Sequence, residues 1–176
     1  MNQRHGLKCE DRASGAGCTD ERGRVVIPFV YETSGRGAAV SVRFAESGIA
    51  LVLDRKDGWV YIDVKNHRVG KALTLDGIPD EVFGGYARFE APTGKVGFLD
   101  RERRIAIPAQ YDAAFPFQRC RARVCVGCHP ERWSKFAPDE ALCSGQAFVI
   151  DESGTRVDER SIDWEECQQD NPPSEK

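Results

Sequence analysis

Short apolar runs alternate with polar turns along this chain, and one arrangement of the two recurs. An apolar run ends at an aspartate, a polar turn follows, and a second apolar run begins. The clearest copy covers residues 94–112, and a second copy at 17–31 aligns with it without a gap. Partial copies lie at 58–63 and 145–157. Short apolar runs bounded by turn residues are typical of β-strands, so the pattern predicts repeated β-hairpins.

The aspartate of each copy is explained by turn formation. The four are Asp20, Asp63, Asp100 and Asp151. A short carboxylate at a strand end accepts a hydrogen bond from a turn amide two residues on, and Gly23 and Gly154 can supply the positive φ that such turns require. Ile27 and Ile107 are each followed by proline, which lacks an amide donor and so predicts a strand end or an edge position. We therefore expect these carboxylates to form turns and not a catalytic cluster.

Repetition determines the predicted fold. A single hairpin is marginally stable in water, whereas several packed hairpins bury a continuous core. With an irregular period of about 35 to 50 residues, the repeats predict a mainly β protein, an antiparallel meander of about four hairpin repeats with little helix. The arrangement is either closed, like a barrel or propeller, or open. Further strands are predicted at 38–44, 48–54 and 86–90, and the second of these forms a hairpin with the strand that begins at Trp59.

Length and composition indicate a folded chain of 176 residues with a net charge of −3. We predict an N-terminal segment at 1–14, a repeat domain at 15–158 and an acidic, disordered tail at 159–176. An insertion loop is predicted at 129–140, between the third and fourth repeats. No apolar run is long enough to span a membrane, and residues 1–8 do not resemble a secretory signal. The chain as written is expected in the cytoplasm, or in the periplasm if a signal segment has been removed.

Seven cysteines are many for a reduced intracellular chain of this size. Cys9 and Cys18 bracket a polar, glycine-rich loop, where a short disulfide would hold the terminus. The Cys-x-x-Cys motif at Cys125 and Cys128 is followed by His129 and Cys143. These are donor types that could bind zinc or form a reactive thiol site, and structural thiols or disulfides are the alternative. Because the motif has no second Cys-x-x-Cys, it predicts structural cysteines and no cofactor.

The repeats also resemble a known family. The resemblance rests on Gly58-Trp59-Val-Tyr-Ile-Asp63, on Gly94-Lys-Val-Gly-Phe-Leu-Asp100 and on the two Ile-Pro-x-x-Tyr segments. These segments look like the WG repeat family over about residues 15–158, although the Trp-Gly pair is never intact: Val60 follows Trp59, and Val96 precedes Gly97. The resemblance implies a repetitive β architecture and roles in binding other macromolecules, mostly in bacteria. It implies no shared catalytic residues.

One predicted strand carries a cluster of arginines. Alternation directs Arg119, Arg121 and Arg123 to one face, and Cys120, Ala122, Val124 and Val126 to the other. Seven basic and three acidic residues lie between 101 and 132, whereas 151–176 holds nine acidic and three basic ones. The arginines form either a solvated face, which the acidic tail could cover, or with Arg104 a docking surface for an acidic protein. Nucleic acid is not expected, because the net charge is negative and no aromatic residues interleave the arginines.

Three function classes follow. The first is a non-catalytic β-repeat module that binds another protein, in its most concrete form an immunity or inhibitor protein that masks a toxin or an enzyme. The second is an exported, disulfide-stabilised envelope protein of structural or accessory role. The third is a thiol or zinc site at Cys125, Cys128 and Cys143. An enzyme is not expected, because the three histidines form no paired metal-binding motif and no nucleophile or nucleotide-binding motif occurs.

Overall fold

The protein is mainly β in a computed structural model that describes residues 3–33, 41–75, 77–80, 85–118, 120–128 and 145–157. Its strands in these ranges are β1 (Gln3–Arg4), β2 (Leu7–Arg12), β3 (Gly15–Asp20), β4 (Val25–Tyr31), β5 (Ile49–Asp54), β6 (Gly58–Asp63), β7 (Arg68–Ala72), β8 (Thr74–Leu75), β9 (Ile78–Pro79), β10 (Ala87–Glu90), β11 (Val96–Leu99), β12 (Ile105–Tyr111), β13 (Ala113–Ala114), β14 (Ala122–Val126), β15 (Gln146–Ile150) and β16 (Arg156–Val157). Within the described ranges, no helix has the length and apolar character needed to cross a bilayer.

The strands form antiparallel sheets whose order follows the chain almost throughout. One sheet has the order β1-β2-β3-β4, a six-stranded sheet has the order β12-β11-β10-β7-β6-β5, and a third has the order β13-β14-β15-β16. The short hairpin β8-β9 stands apart, so β7 pairs directly with β10. The prediction of a mainly β, antiparallel meander with little helix is therefore confirmed.

Each sequence repeat corresponds to three consecutive strands. Unit 1 consists of β2, β3 and β4, unit 2 of β5, β6 and β7, unit 3 of β10, β11 and β12, and unit 4 of β14, β15 and β16. In every unit the repeat aspartate lies at or directly after the end of the middle strand. Units 2 and 3 join edge to edge through the pairing of Phe89 with Ala72, which produces the six-stranded sheet.

Three apolar clusters hold the units together. The first packs unit 1 on unit 2 around Ile27 and Val60, both with no exposed surface. The second packs unit 3 on unit 4 around Phe98 and Ile150, which are also fully buried. The third lies within the six-stranded sheet around the buried Tyr61. Because neighbouring units share each of the first two clusters, burial of apolar surface couples the repeats.

The prolines in units 1 and 3 lie within strands and do not end them, so the strand-end alternative predicted for them is wrong. In unit 3, Val96 pairs with Tyr111 and Phe98 pairs with Ile107, so one intervening residue on β11 faces three on β12. Unit 1 has the same bulge. Both β4 and β12 are edge strands, as the missing proline amide predicted.

Three other sequence predictions have mixed outcomes. Strands β5 and β10 are confirmed, and β5 pairs with β6 as expected. Of the strand predicted at 38–44, residues 38–40 lie outside the described residues. Residues 41–44 are not a strand, since Ser41 binds the Asp11 carboxylate through its amide (3.1 Å) and hydroxyl (2.8 Å), and Phe44 forms only an isolated bridge with Ala50.

The segments around the predicted repeat domain are described in part. Residues 7–12, assigned to an N-terminal segment, form β2 and pair with β3. The insertion predicted at 129–140 and the tail at 159–176 lie outside the described residues. Strand β14 pairs with β15 across the first of these, so that segment falls inside unit 4. The domain boundaries themselves stay a prediction.

Candidate functional site

The repeat aspartates all build the same tight turn. In unit 1 the Asp20 Oδ1 atom accepts hydrogen bonds from the amides of Arg22 (3.0 Å) and Arg24 (2.8 Å), and the Gly23 amide donates to the Asp20 carbonyl (2.9 Å). Units 2 and 4 repeat this pattern with Asp63 and Asp151. In unit 3, the Arg104 amide donates to Asp100 Oδ1 at 2.8 Å. The predicted turn role of the aspartates is therefore confirmed.

Hydrogen bonding keeps three of these carboxylates charged. The bond from the Arg24 amide is the largest cause that lowers the pKa of Asp20 below its usual 3.8. At Asp63 and Asp151 burial raises the pKa, but the bonds donated by the turn outweigh it, so both pKa values are also lowered. A carboxylate with several donors stabilises its turn most in the ionised form.

The tyrosine of one unit contacts the turn of the next unit. The Tyr31 hydroxyl of unit 1 donates to Asn66 Oδ1 in the turn of unit 2 at 2.8 Å. The Tyr111 hydroxyl of unit 3 lies 3.5 Å from the Gly154 carbonyl in the turn of unit 4. Asn66 and Gly154 are equivalent residues, and both have positive φ. The Ile-Pro-x-x-Tyr segment therefore positions successive units.

An arginine and an exposed aliphatic residue follow the turn in units 1 and 3. Arg24 Nε and Arg104 Nε each donate to Oδ2 of their turn aspartate at 2.7 Å, and the two side chains are 72% and 64% exposed. The next residues, Val25 and Ile105, are 58% and 52% exposed. Arg104 Nη2 also binds Glu102 at 3.0 Å, and the bond to Asp100 is the largest cause that raises the pKa of Arg104. The turn thus presents an oriented guanidinium beside apolar surface.

The arginine strand predicted from alternation is only partly formed. Arg123 is exposed and its neighbours Ala122 and Val124 are buried, as predicted. Arg121 is half-buried, and its Nη1 atom donates to the Cys120 carbonyl at 3.0 Å. Arg119 lies outside the described residues. Val126 was expected to face inward but is 44% exposed, because the alternation breaks where Cys125 turns inward. The partner-binding role of these arginines stays a prediction.

The cysteines are paired in the part of the chain that the structure describes. Cys9 and Cys18 form the predicted disulfide; they lie directly opposite each other on β2 and β3, with Cα atoms 4.0 Å apart. Cys125 and Cys128 are joined through their sulfurs, with Cα atoms 6.0 Å apart, and Cys120 is also in a disulfide. The other two candidate zinc ligands, His129 and Cys143, lie outside the described residues. Among the residues described, no three His, Cys, Asp or Glu side chains are grouped to hold a metal ion.

The fold also contains one buried ion pair that the sequence pattern does not predict. Arg88 binds Asp80 through Nε (2.6 Å) and Nη2 (3.0 Å), and its Nη1 atom donates to the Ala114 carbonyl (2.9 Å). The two side chains are only 12% and 4% exposed. A charged pair eight residues apart has no periodic signal, so its partners could be recognised only from the fold. The bidentate pair ties the β8-β9 hairpin to β10 and β13.

The strand order, the shared turn and the unit-to-unit tyrosine contact define an all-β repeat protein. Residues 97–127, which run from β11 of unit 3 through β14 of unit 4, match the family model described as WG containing repeat. This match supports assignment of the segment to the WG repeat family, and one copy of the repeat is detected. No curated protein and no solved structure matches the chain.

Proposed function

We propose that this chain is a non-catalytic β-repeat module that binds another protein, and that its concrete role is that of an immunity or inhibitor protein masking a toxin or an enzyme. The observation that supports binding is an aspartate-anchored arginine beside an exposed aliphatic residue, the pair Arg24 and Val25 of unit 1. Single exposed apolar residues are common on any surface. Arginine, however, is enriched at interfaces and among their hot spots, and here its guanidinium is oriented by Asp20.

We place the docking surface, the unit 1 patch, at Arg24 and Val25, with Val30 further along the same edge strand β4. Val25 and Val30 are 58% and 49% exposed. Within the described residues, the terminal nitrogens of Arg24 have no hydrogen-bond partner, whereas Arg104 also binds Glu102. The unit 3 equivalent of Val30 is the polar Gln110. A partner with a carboxylate beside an apolar group would fit the unit 1 patch, because the guanidinium would pair with the acid while the valines lose water.

The experiment is affinity capture of the tagged full chain from its host, read by quantitative mass spectrometry. The test variant is Arg24→Ala/Val25→Ser, and the matched control is Arg104→Ala/Ile105→Ser, which makes an equivalent change in unit 3. We expect one stoichiometric partner that is retained by the control and lost by the test variant. A partner lost only in an Arg121→Glu/Arg123→Glu variant would instead favour the arginine strand. No partner above background would contradict the proposal.

The Cys9–Cys18 disulfide favours a second candidate, an exported envelope protein of structural or accessory role, because disulfides persist in oxidising compartments. Blocking thiols with N-ethylmaleimide before cell lysis preserves the native redox state. Cys9 and Cys18 fully oxidised in a periplasmic fraction would support export. Both residues alkylated in a cytoplasmic fraction would rule it out.

A further inference from the structure

A single carboxylate holds the turn that contains both cysteines of the Cys-x-x-Cys motif. The Asp112 amide donates to the Cys125 carbonyl at 2.9 Å, and Asp112 Oδ2 accepts from the Gly127 amide at 2.6 Å. The Cys128 amide also donates to this carboxylate, and Lys95 Nζ binds Oδ1 at 2.5 Å. These contacts fix the backbone of the turn without any contribution from the sulfur atoms.

The Asp112 carboxylate, which holds this turn, is charged at neutral pH. The bond from Lys95 is the largest cause that lowers the pKa of Asp112, and the amides of Gly127 and Cys128 lower it further. Hydrogen bonds from amides to an ionised carboxylate are stronger than those to a neutral acceptor. The turn is thus held through its backbone by bonds that do not involve the sulfur atoms.

The cysteine pair lies outside the three main apolar clusters. Cys125 and Cys128 are 1% and 5% exposed, and with Ala113 they form a small separate cluster. Gly127, between them, is exposed. Reduction of this pair would consequently remove little of the packing that joins the units.

We propose that Cys125 and Cys128 are a reversible dithiol–disulfide couple that a dithiol reductant opens while the rest of the fold remains native. A thiolate of the reductant attacks the sulfur of Cys128, the less buried residue of the two, the sulfur–sulfur bond breaks, and Cys125 takes up a proton as its thiol. The second thiol of the reductant then resolves the mixed disulfide and releases the Cys128 thiol, so two electrons and two protons pass to the protein. Because Asp112 keeps the two backbones close, reoxidation requires no refolding.

The test uses the full chain equilibrated in dithiothreitol buffers of graded reduced-to-oxidised ratio, quenched in acid, alkylated and mapped by mass spectrometry. We expect Cys125 and Cys128 to be alkylated together along a single two-electron curve, with an unchanged circular dichroism spectrum. Three results would overturn the proposal: no alkylation while the fold is native, alkylation only with global unfolding, or either cysteine bridged natively to another cysteine.

The Asp112→Ala variant tests whether the Asp112 carboxylate holds Cys125 and Cys128 close together. Without the carboxylate, the reduced cysteines spend less time close together, so the equilibrium shifts toward the dithiol by about fivefold. Asp63→Ala is the matched control, because it removes a turn carboxylate in unit 2 that does not contact these cysteines; we expect no shift there. Equal curves for Asp112→Ala and the wild type would contradict the holding role.

Discussion

At the scale of single residues, close approach of the backbone explains the glycine of the repeat. A Cβ atom on Gly97 would lie 2.7 Å from both the Ala109 nitrogen and the Ile107 carbonyl oxygen. Gly17 has the same environment in unit 1, where a Cβ would lie 2.7 Å from the Ile27 carbonyl oxygen. In both units the bulge that begins at the proline brings β4 or β12 over the glycine. The glycine is thus required by contact, since neither residue has positive φ.

Gly97→Ala should therefore be strongly destabilising. Because the obstructing atoms belong to the backbone, we expect a loss of about 3 kcal/mol in the free energy of unfolding, measured with urea. Gly94→Ala is the control: Gly94 has φ of +77° but no atom within 4 Å of a Cβ, so only the left-handed conformation is penalised, by about 1 to 2 kcal/mol. A Gly97→Ala loss no larger than that of Gly94→Ala would refute the close-approach explanation.

At the scale of the elements, the aspartate turn is stabilised by charge. At Asp151 the hydroxyl and amide of Ser153 and the amide of Thr155 donate to Oδ1 at 2.6, 2.9 and 3.0 Å. Burial raises the pKa of Asp151, but these bonds outweigh it and lower the pKa in the folded state, so ionised Asp151 stabilises the fold above the usual value of 3.8. This contribution is lost as the pH falls through the lower folded pKa.

Asp151→Asn should show the corresponding pH dependence. We expect the variant to be less stable than the wild type by about 0.5 to 1 kcal/mol at pH 7, with the difference shrinking below pH about 4 as Asp151 protonates. Glu152→Gln removes the same charge from an exposed neighbouring residue and should not show this loss in acid. Urea unfolding between pH 3 and 7 gives both curves, and a difference that is constant with pH would exclude a charge effect.

The tyrosine contact between units can be measured by a double-mutant cycle. Tyr31→Phe removes the hydroxyl, and Asn66→Gly removes the acceptor while retaining the positive φ. Each single variant loses the same partly buried hydrogen bond, and the double variant loses it only once. We therefore expect the double variant to lose about 1 kcal/mol less unfolding free energy than the sum of the two single variants. Tyr111→Phe should lower the free energy of unfolding less than Tyr31→Phe does, because the Tyr111 hydroxyl lies 3.5 Å from the Gly154 carbonyl, a longer contact. Zero coupling would mean that the contact does not join units 1 and 2.

A structural feature could be predicted from the sequence when the residues that determine it lie close together in the chain. The turn at Asp20 and the hairpin of β5 and β6 follow from residues close in the chain, and both predictions are correct. The bulge after Pro28 could not be predicted, because a bulged and a regular strand have the same extended residues. Strand β2 could not be predicted either, because it contains the polar residues Lys8 and Glu10, although its backbone pairs with β3 along its whole length.

The candidate site was less predictable than the fold. Alternation correctly placed Arg123 on the surface, but the unit 1 patch requires knowledge of which side chains the neighbouring units leave exposed. Val25 and Ile27 are both apolar and two residues apart, yet one is 58% exposed and the other is fully buried. Register shifts on β4 separate them, and those shifts depend on pairing with β3.

Across all four units, the strands form a continuous scaffold in which β4 and β12 are edge strands of their sheets. A bulge and a proline interrupt each edge, which disfavours pairing with a further strand. Recognition of a partner by side chains is therefore more compatible with these edges than addition of a strand. The two patches differ in their side chains. Unit 1 presents Arg24 and Val25, with Val30 along the same strand, whereas unit 3 presents Ile105, Gln110 and an Arg104 that also binds Glu102.

Calorimetric titration of the captured partner against the purified full chain measures whether the unit 1 patch recognises a partner protein. We predict a one-to-one complex that Arg24→Ala/Val25→Ser weakens by at least about tenfold, while Arg104→Ala/Ile105→Ser changes the affinity by less than about twofold. Both variants should retain the circular dichroism spectrum of the wild type. Equal affinities for the wild type and the Arg24/Val25 variant would contradict the claim.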